Sequence, residues 1–289
     1  MLTSKPNPFK AIDVSREIIM LDSGRTLWDA RNEMLRYNIS RIVVSDNGME
    51  VGIVTEKDIA RFLYTIPPTR ALNEIALKEL IGRKLITADA ESSIKNCVKL
   101  MLENHISSLL ITDTENKVKG IVTKTDIVEL YAYHLRTSIR VRNFMSKKVH
   151  TVAPDETLHM IAMLMTTYNI SRIVVQKNKK PIGIVTSRDF LPIGFNYGTS
   201  SSVNYRTPVS KMVSSKTLQS FIPSGIMGMT LAQDIMTPMP LTINMNGGFA
   251  EAAQVMIRNR ISGLPVVDGR FSLVGIITKT DVVRGDVEI

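Results

Sequence analysis

The sequence predicts an α/β protein made of four strand-helix-strand-strand-helix repeats, and three observations predict it. First, the string Gly52-Ile53-Val54-Thr55-Glu56-Lys57-Asp58 returns as GIVTKTD at Gly120 to Asp126, GIVTSRD at Gly183 to Asp189 and GIITKTD at Gly275 to Asp281. Second, a shift of 131 residues lays Asn38 to Val44 on the identical run Asn169 to Val175, and a shift of 155 lays Thr123-Lys124-Thr125-Asp126 on Thr278-Lys279-Thr280-Asp281. Third, a stretch of helical apolar spacing precedes each string. Self-similarity of this kind marks an array of supersecondary units. Odd matches odd and even matches even, as a duplicated pair would, with 24 extra residues between Asp189 and Thr242.

The elements follow in order within each unit. A short stretch ends at Met20, Thr87, Thr151 or Thr242 and leads into an acidic or Gly-rich turn. A helix comes next, its apolar face being Leu27, Ala30 and Met34 in the first unit and Ile94, Cys97, Val98 and Met101 in the second. Leu158, Ile161, Ala162 and Met165 form it in the third, and Phe249, Ala252, Ala253 and Met256 in the fourth. Two runs rich in Val and Ile then read as strands; in the first unit a hairpin-type turn at Asp46-Asn47-Gly48 joins them. The second strand ends at Thr, which caps a second helix.

These boundaries give an N-terminal arm over 1–11, repeats over 12–68, 69–137, 138–192 and 231–289, and an insertion over 193–230. The insertion, with Gly198-Thr199-Ser200-Ser201-Ser202, Pro208, Pro223 and Gly225, reads as a solvated loop rather than a lid. A unit this small leaves one sheet face short of cover, so repeats one and two are expected to form one module and three and four another. Short amphipathic segments, Leu72 to Gly82, Ile139 to Met145 and Leu231 to Met236, introduce the later units.

Composition narrows the function. With 44% hydrophobic and 22% charged residues the 289-residue chain is that of a globular protein. No apolar run approaches the roughly 20 residues of a membrane span, so no membrane insertion is expected and a cytoplasmic location follows by default. Cys97 is the single cysteine and falls on an apolar helix face, which reads as a buried structural thiol. The four histidines show no ligand spacing, so no metal site is expected. A formal charge of +9 suits an anionic partner. There is no phosphate loop of the Gly-x-x-x-x-Gly-Lys kind and no nucleophile elbow, so no catalytic residue is assigned.

Thr-x-x-Asp after a strand has two readings. In the structural one, Thr caps the helix and Asp complements its dipole in the first turn. In the functional one, the helix start attracts an anion, the Thr hydroxyl donates to phosphate, and the Asp one turn later accepts from paired ribose hydroxyls. Four copies in register, each beside an Ile-Ser dipeptide, favour a ligand site in at least two of them.

The Ile-Ser dipeptide, the apolar strand and the Gly-apolar-apolar-Thr-x-x-Asp string, repeated four times, resemble cystathionine-β-synthase-type (CBS) domains. Their order as two tandem pairs resembles the gamma subunit of AMP-activated protein kinase and its archaeal relatives. The resemblance implies four βαββα repeats in two tandem pairs (Bateman modules) in a disc-like arrangement. It also implies a regulatory protein that binds an adenosyl ligand, AMP, ADP or ATP first among them, and signals to a protein partner or a second copy.

Carried over position by position, the resemblance assigns ribose contacts to Asp58, Asp126, Asp189 and Asp281, and ribose or phosphate contacts to Thr55, Thr123, Thr186 and Thr278. First-strand Thr87, Thr151 and Thr242 contact the nucleotide. Ile39 with Ser40, Ile106 with Ser107, Ile170 with Ser171 and Ile261 with Ser262 bracket adenine and phosphate. Arg41 and Arg172 face phosphate; apart from the resemblance, Lys57, Lys124, Arg188 and Lys279 fall inside the motifs, where each has two readings, assisting at the ligand or standing exposed. Met20 replaces the Thr of the first strand, and Ser108 and Gly263 replace the Arg in repeats two and four. The third site is therefore the most complete, the second and fourth follow, and the first is the one expected to be empty or structural. A competing reading, nucleic-acid binding or scaffolding with a nucleotide, S-adenosylmethionine or cyclic di-AMP as effector, rests on the positive charge. With 6% aromatics and no helix-turn-helix or zinc knuckle it is the less favoured one.

Overall fold

The computed structural model describes residues 9–65, 72–81, 85–134, 139–195 and 230–288. Most of the insertion read over 193–230, including its Gly-Ser stretch and prolines, and the first eight residues of the arm lie outside the described residues.

In repeat 1, after the short helix α1 (Ala11–Val14), strand β1 (Met20–Asp22) lies parallel to β2 (Arg41–Asp46), and β2 pairs antiparallel with β3 (Met49–Thr55). Helix α2 (Leu27–Arg36) makes the crossover between the parallel strands, and α3 (Glu56–Thr65) follows β3. Thr26 starts α2 by accepting from the Asp29 N–H at 3.3 Å. Asn47 and Gly48, at φ 48° and 79°, make the two-residue turn between Asp46 and Met49, the left-handed pair that such a hairpin requires.

The other repeats reuse the plan. Repeat 2 has β4 (Thr87–Asp89), α4 (Ile94–Glu103), β5 (Ser108–Thr112), β6 (Val118–Thr123) and α5 (Lys124–His134). After α6 (Val141–Phe144), repeat 3 has β7 (Thr151–Val152), α7 (Leu158–Thr167), β8 (Arg172–Lys177) and β9 (Lys180–Thr186). Its motif segment Ser187–Phe195 is a 3₁₀ helix instead of the expected α-helix. Pro192 sits inside that segment and has no N–H to give an α-helical ladder. After α8 (Ala232–Ile235), β10 (Thr237–Pro238) adds a fourth strand beside β9. Its proline is tolerated because it lies on an edge. Repeat 4 closes with β11 (Ile243–Asn244), α9 (Phe249–Arg258), β12 (Gly263–Val267), β13 (Leu273–Thr278) and α10 (Lys279–Glu288).

Every apolar residue assigned to the four crossover helices is buried, none more than 6% exposed. Cys97 is among them at 0%. What the periodicity did not show is how the leader segments dock. Ala11 N–H donates to Ser92 O at 2.8 Å, and Leu77 N–H to Arg25 O at 2.8 Å. In the same way Val141 N–H donates to Gly247 O at 3.0 Å, and Ala232 N–H to Glu156 O at 2.7 Å. Each leader that introduces one repeat in sequence therefore packs on the other repeat of its tandem pair.

The motif glycines explain themselves at these contacts. A Cβ on Gly120 would meet the Arg16 carbonyl oxygen at 2.8 Å, and one on Gly52 would meet Ile81 Cγ2 at 2.7 Å. Gly183 and Gly275 lie in the same way under Met236 and Met145. Glycine opens each motif because a leader passes over it.

The chain divides into two compact units. One comprises residues 1–18, 85–149 and 240–289, and therefore holds repeats 2 and 4; the other comprises 19–84 and 150–239, and holds repeats 1 and 3. In the even unit, α5 packs on α9 and α10, and α4 on α10, around one continuous core. In the odd unit, α3 packs on α7 and on the Ser187–Phe195 helix. Tandem order thus survives in the exchange of leaders, while helical packing joins odd with odd and even with even, which the expected pairing of one with two and three with four did not include. The reason lies in the motif helices. In α5, Ile127, Val128, Leu130, Tyr131 and Ala132 are all at most 9% exposed, an apolar circumference that one small repeat cannot cover.

Candidate functional site

The Thr-x-x-Asp motif folds the same way in all four repeats. Thr55 donates to Asp58 Oδ2 from its N–H at 2.9 Å and from its hydroxyl at 2.6 Å. The matching pairs are 2.8 and 2.6 Å at Thr123 and Asp126, 2.6 and 2.8 Å at Thr186 and Asp189, and 2.8 and 2.7 Å at Thr278 and Asp281. The Thr55 hydroxyl also accepts from the Asp58 N–H at 3.3 Å, which completes a capping box with Asp in the Glu position. The Thr hydroxyl therefore spends its proton within the protein. Its effect is to aim the carboxylate: Oδ2 is occupied, and Oδ1 is the oxygen left over.

The other assigned residues gather around this corner. Arg41 pairs directly across the sheet with Thr55, Arg172 with Thr186, Ser108 with Thr123, and Gly263 with Thr278. The carbonyls of Ser40, Ser107, Ser171 and Ser262 accept from the first N–H of the motif helix at 3.0 to 3.2 Å. This ties each Ile-Ser dipeptide (Ile39, Ile106, Ile170 and Ile261 with the serines) to its motif. Thr87 pairs with Leu110 and Thr151 with Val174, two residues along from Ser108 and Arg172, and so lies on the same sheet face. Met20 occupies that position in repeat 1, opposite Val43. Thr242 lies one residue before β11. Arg41 and Arg172 each donate from Nη2 to the hydroxyl of the serine before them, at 3.1 and 3.4 Å.

The four Oδ1 atoms differ. Among the described residues, Oδ1 of Asp58 and of Asp189 meets no donor. Asp126 Oδ1 accepts from Nε of Arg16, which the leader of repeat 1 carries over repeat 2. Asp281 Oδ1 accepts from the Ser146 hydroxyl at 3.3 Å, with Arg284 at 3.5 Å. Asp126 and Asp281 are 5% and 3% exposed, whereas Asp58 and Asp189 are half-buried. Burial raises the Asp189 carboxyl above its ordinary 3.8, opposed by the two Thr186 donors. Hydrogen bonding and charge from Asp126 raise the Arg16 guanidinium further.

Arg188 stands elsewhere than at a free phosphate position. Its Nε donates to Glu56 Oε1 at 2.6 Å, Nη2 donates to the Ile39 carbonyl at 2.9 Å, and Nη1 donates to the Asn38 side chain. Lys57, its counterpart in repeat 1, donates to the Asn169 carbonyl at 2.6 Å and to Asn169 Oδ1 at 2.5 Å. Each odd motif cation thus grips the corner that leads into the other repeat's Ile-Ser dipeptide. Asn38 and Asn169 hold that corner at φ 52°, a left-handed conformation that Asn tolerates. Sequence reasoning missed the two asparagines as partners; the signal was their place at the head of the identical seven-residue run. In the even unit Lys124 and Lys279 reach the hydroxyls of Thr280 and Thr125 at 3.2 and 2.9 Å.

Buried Arg31 was also not foreseen. It lies at 0% exposure on α2, stacks 4.9 Å from the Trp28 ring and donates from Nε to the Leu191 carbonyl at 2.6 Å. Burial lowers its guanidinium to about 9. Trp28 thereby packs within the odd unit. Among the described residues no group of His, Cys, Asp and Glu could hold a metal, and no helix is long and apolar enough to cross a membrane.

Fold and site define a class: tandem mixed α/β repeats, each presenting a Thr-aimed carboxylate at the start of a helix. The chain belongs to the CBS domain family, whose sequence pattern matches residues 10–65, 77–133, 141–193 and 232–288. It is 23% identical over 266 residues to the uncharacterised protein MJ1225 of Methanocaldococcus jannaschii, spanning 86% of this chain and 87% of that one. The crystal structure of MJ1225, described as a candidate archaeal homologue of γ-AMPK, superposes with a TM-score of 0.81 at 20% identity, covering 96% of this chain and all of that one. A conserved protein of Pyrococcus horikoshii gives a TM-score of 0.62 at 18% identity, covering 96% and 99%. A segment of 114 residues is 33% identical to the L-aspartate semialdehyde sulfurtransferase of M. jannaschii, of which the match spans only 22%.

Proposed function

We propose that the chain is a non-enzymatic regulatory sensor of adenosyl nucleotides, with AMP, ADP or ATP as the ligand class. Repeat 3 leads among its sites. The observation that carries the reading is the carboxylate geometry at Asp189. Thr186 holds Oδ2 with two donors and leaves Oδ1, which meets no donor among the described residues, to accept from a ribose diol. Arg172, paired across the sheet with Thr186, supplies positive charge for phosphate, Thr151 supplies a polar contact on the same face, and the Ser171 hydroxyl, which accepts from Arg172, supplies one beside it. Belonging to the CBS family supports the ligand class; the short match to an enzyme covers too little of that enzyme to bring its activity with it.

A ligand shifts conformation only as far as it binds one state better than another. The cross-braces of the odd unit provide the coupling. A ligand drawing on Ser171 and Asp189 bears on the corner at Asn169 that Lys57 grips, and on the helix start from which Arg188 grips repeat 1. The change is passed to a protein partner or a second copy.

The test is thermal melting of the chain against AMP, ADP, ATP, S-adenosylmethionine, NAD and cyclic di-AMP. A ligand at a hundredfold excess over its dissociation constant adds about 2.7 kcal/mol to stability. A midpoint shift with one class, lost in Asp189→Ala, supports the sensor. No shift with any of the six overturns it and directs attention to the charge of +9 and a nucleic-acid partner, whose binding would fall steeply with salt.

A further inference from the structure

We propose that Arg16 is a latch on the motif carboxylate of repeat 2, so that a ribose-bearing ligand reaches Asp126 only by displacing it. The inference rests on the reading of the motif Asp as the ribose acceptor.

Both carboxylate oxygens of Asp126 are taken. Oδ2 accepts from the Thr123 N–H and hydroxyl at 2.8 and 2.6 Å, and Oδ1 accepts from Arg16 Nε. The same guanidinium donates from Nη2 to Glu129 Oε2 at 2.6 Å, so one cation bridges two carboxylates on successive turns of α5. Its place is set by the main chain. Arg16 and Ile121 exchange N–H to carbonyl bonds in both directions at 2.9 Å, and the absence of a side chain at Gly120 lets the leader lie that close.

The bridge is asymmetric in exposure. The Asp126 side chain is 4% exposed and that of Arg16 61%. The cation therefore covers the carboxylate from the solvent side, and rotating its exposed side chain uncovers Oδ1 while leaving both main-chain bonds intact.

The other repeats show that the covering residue is a variable of the design. The equivalent leader position over repeat 4 is Ser146, a neutral hydroxyl at 3.3 Å from Asp281 Oδ1. Over repeat 3 it is Thr237, which pairs with Ile184 and donates nothing to Asp189. The leader thus supplies a charge-assisted bond at repeat 2, a long neutral one at repeat 4, where Arg284 of the motif helix itself stands 3.5 Å from Oδ1, and none at repeat 3, which grades the leader's share of the opposition that a diol meets. Repeats 3 and 2 carry the same Thr-x-x-Asp acceptor and differ in the residue that guards it.

The experiment is calorimetric titration of the full chain with AMP and with S-adenosylmethionine, for wild type, Arg16→Ala, Arg16→Gln, Asp126→Ala and the double variant R16A/D126A. The latch predicts about a tenfold gain in affinity at one site in Arg16→Ala. Arg16→Gln, which keeps length and loses charge, gains less. The gain disappears in the double variant. Binding by Arg16→Ala that equals or falls below wild type, while wild type binds, overturns the latch and leaves the nucleotide reading standing. No binding by any variant overturns the nucleotide reading and the latch with it.

Discussion

Arg188 and Glu56 lie 132 residues apart in the chain, and Nε of one stands 2.6 Å from Oε1 of the other. The pair joins the motif helices of repeats 3 and 1, so it tests whether odd repeats depend on each other. Arg188→Ala leaves Glu56 buried without its cation and is expected to cost about 2 kcal/mol. Glu56→Gln in the same chain should recover part of that, because a neutral amide costs less to bury. Urea unfolding of the two single variants and the double variant measures the coupling.

The same glutamate predicts a pH dependence. Burial raises the Glu56 carboxyl above its ordinary 4.5, against the pull of Arg188. In the window between 4.5 and the raised value the folded chain binds more protons than the unfolded one, so this group's contribution to stability falls as pH rises through it. Glu56→Gln is expected to flatten the stability profile over that window, and equal slopes for wild type and variant would disprove the assignment.

Arg31 works in the opposite pH range. Its guanidinium falls to about 9 by burial, below its ordinary 12.5. Between those values the unfolded chain binds more protons, so the Arg31 contribution improves as pH rises from 9. The stability difference between Arg31→Met and wild type should therefore shift in favour of wild type from pH 8 to pH 10, as measured by denaturant midpoints in matched buffers.

Glycine substitutions separate a leader that can yield from one that cannot. A Cβ at Gly52 meets the flexible Ile81 side chain, whereas one at Gly120 meets the Arg16 carbonyl. Gly120→Ala is expected to cost about 1–3 kcal/mol and more than Gly52→Ala. Melting temperatures of the two variants decide the order.

Cys97 is fully buried, and burial raises its thiol to about 11. Alkylation at pH 8 should be negligible in the folded chain and complete in denaturant. Rapid modification of the native protein would contradict the packing of α4.

Much of this architecture is legible in the sequence. The four motifs, the apolar faces from Leu27 to Met256 and the Asn47-Gly48 turn follow from spacing and from residue conformational preference, both of which act over a few neighbours. The Thr-x-x-Asp capping box was legible too, as one of two readings. The 3₁₀ form of the third motif helix could have been suspected from Pro192.

The number of repeats, the place of each carboxylate and the apolar faces of the helices are set by local sequence, because those properties are written in periods of two to seven residues. Tertiary packing sets the rest: leaders cross to the other repeat of each pair, odd repeats pack with odd, and Arg16 covers Asp126 while no donor among the described residues reaches Oδ1 of Asp189. Those outcomes depend on which side chain the chain path brings beside another more than a hundred residues away, as Arg16 beside Asp126 and Arg188 beside Glu56. No local pattern encodes that meeting; it follows from burying the motif helices, which are too apolar for any single repeat to cover.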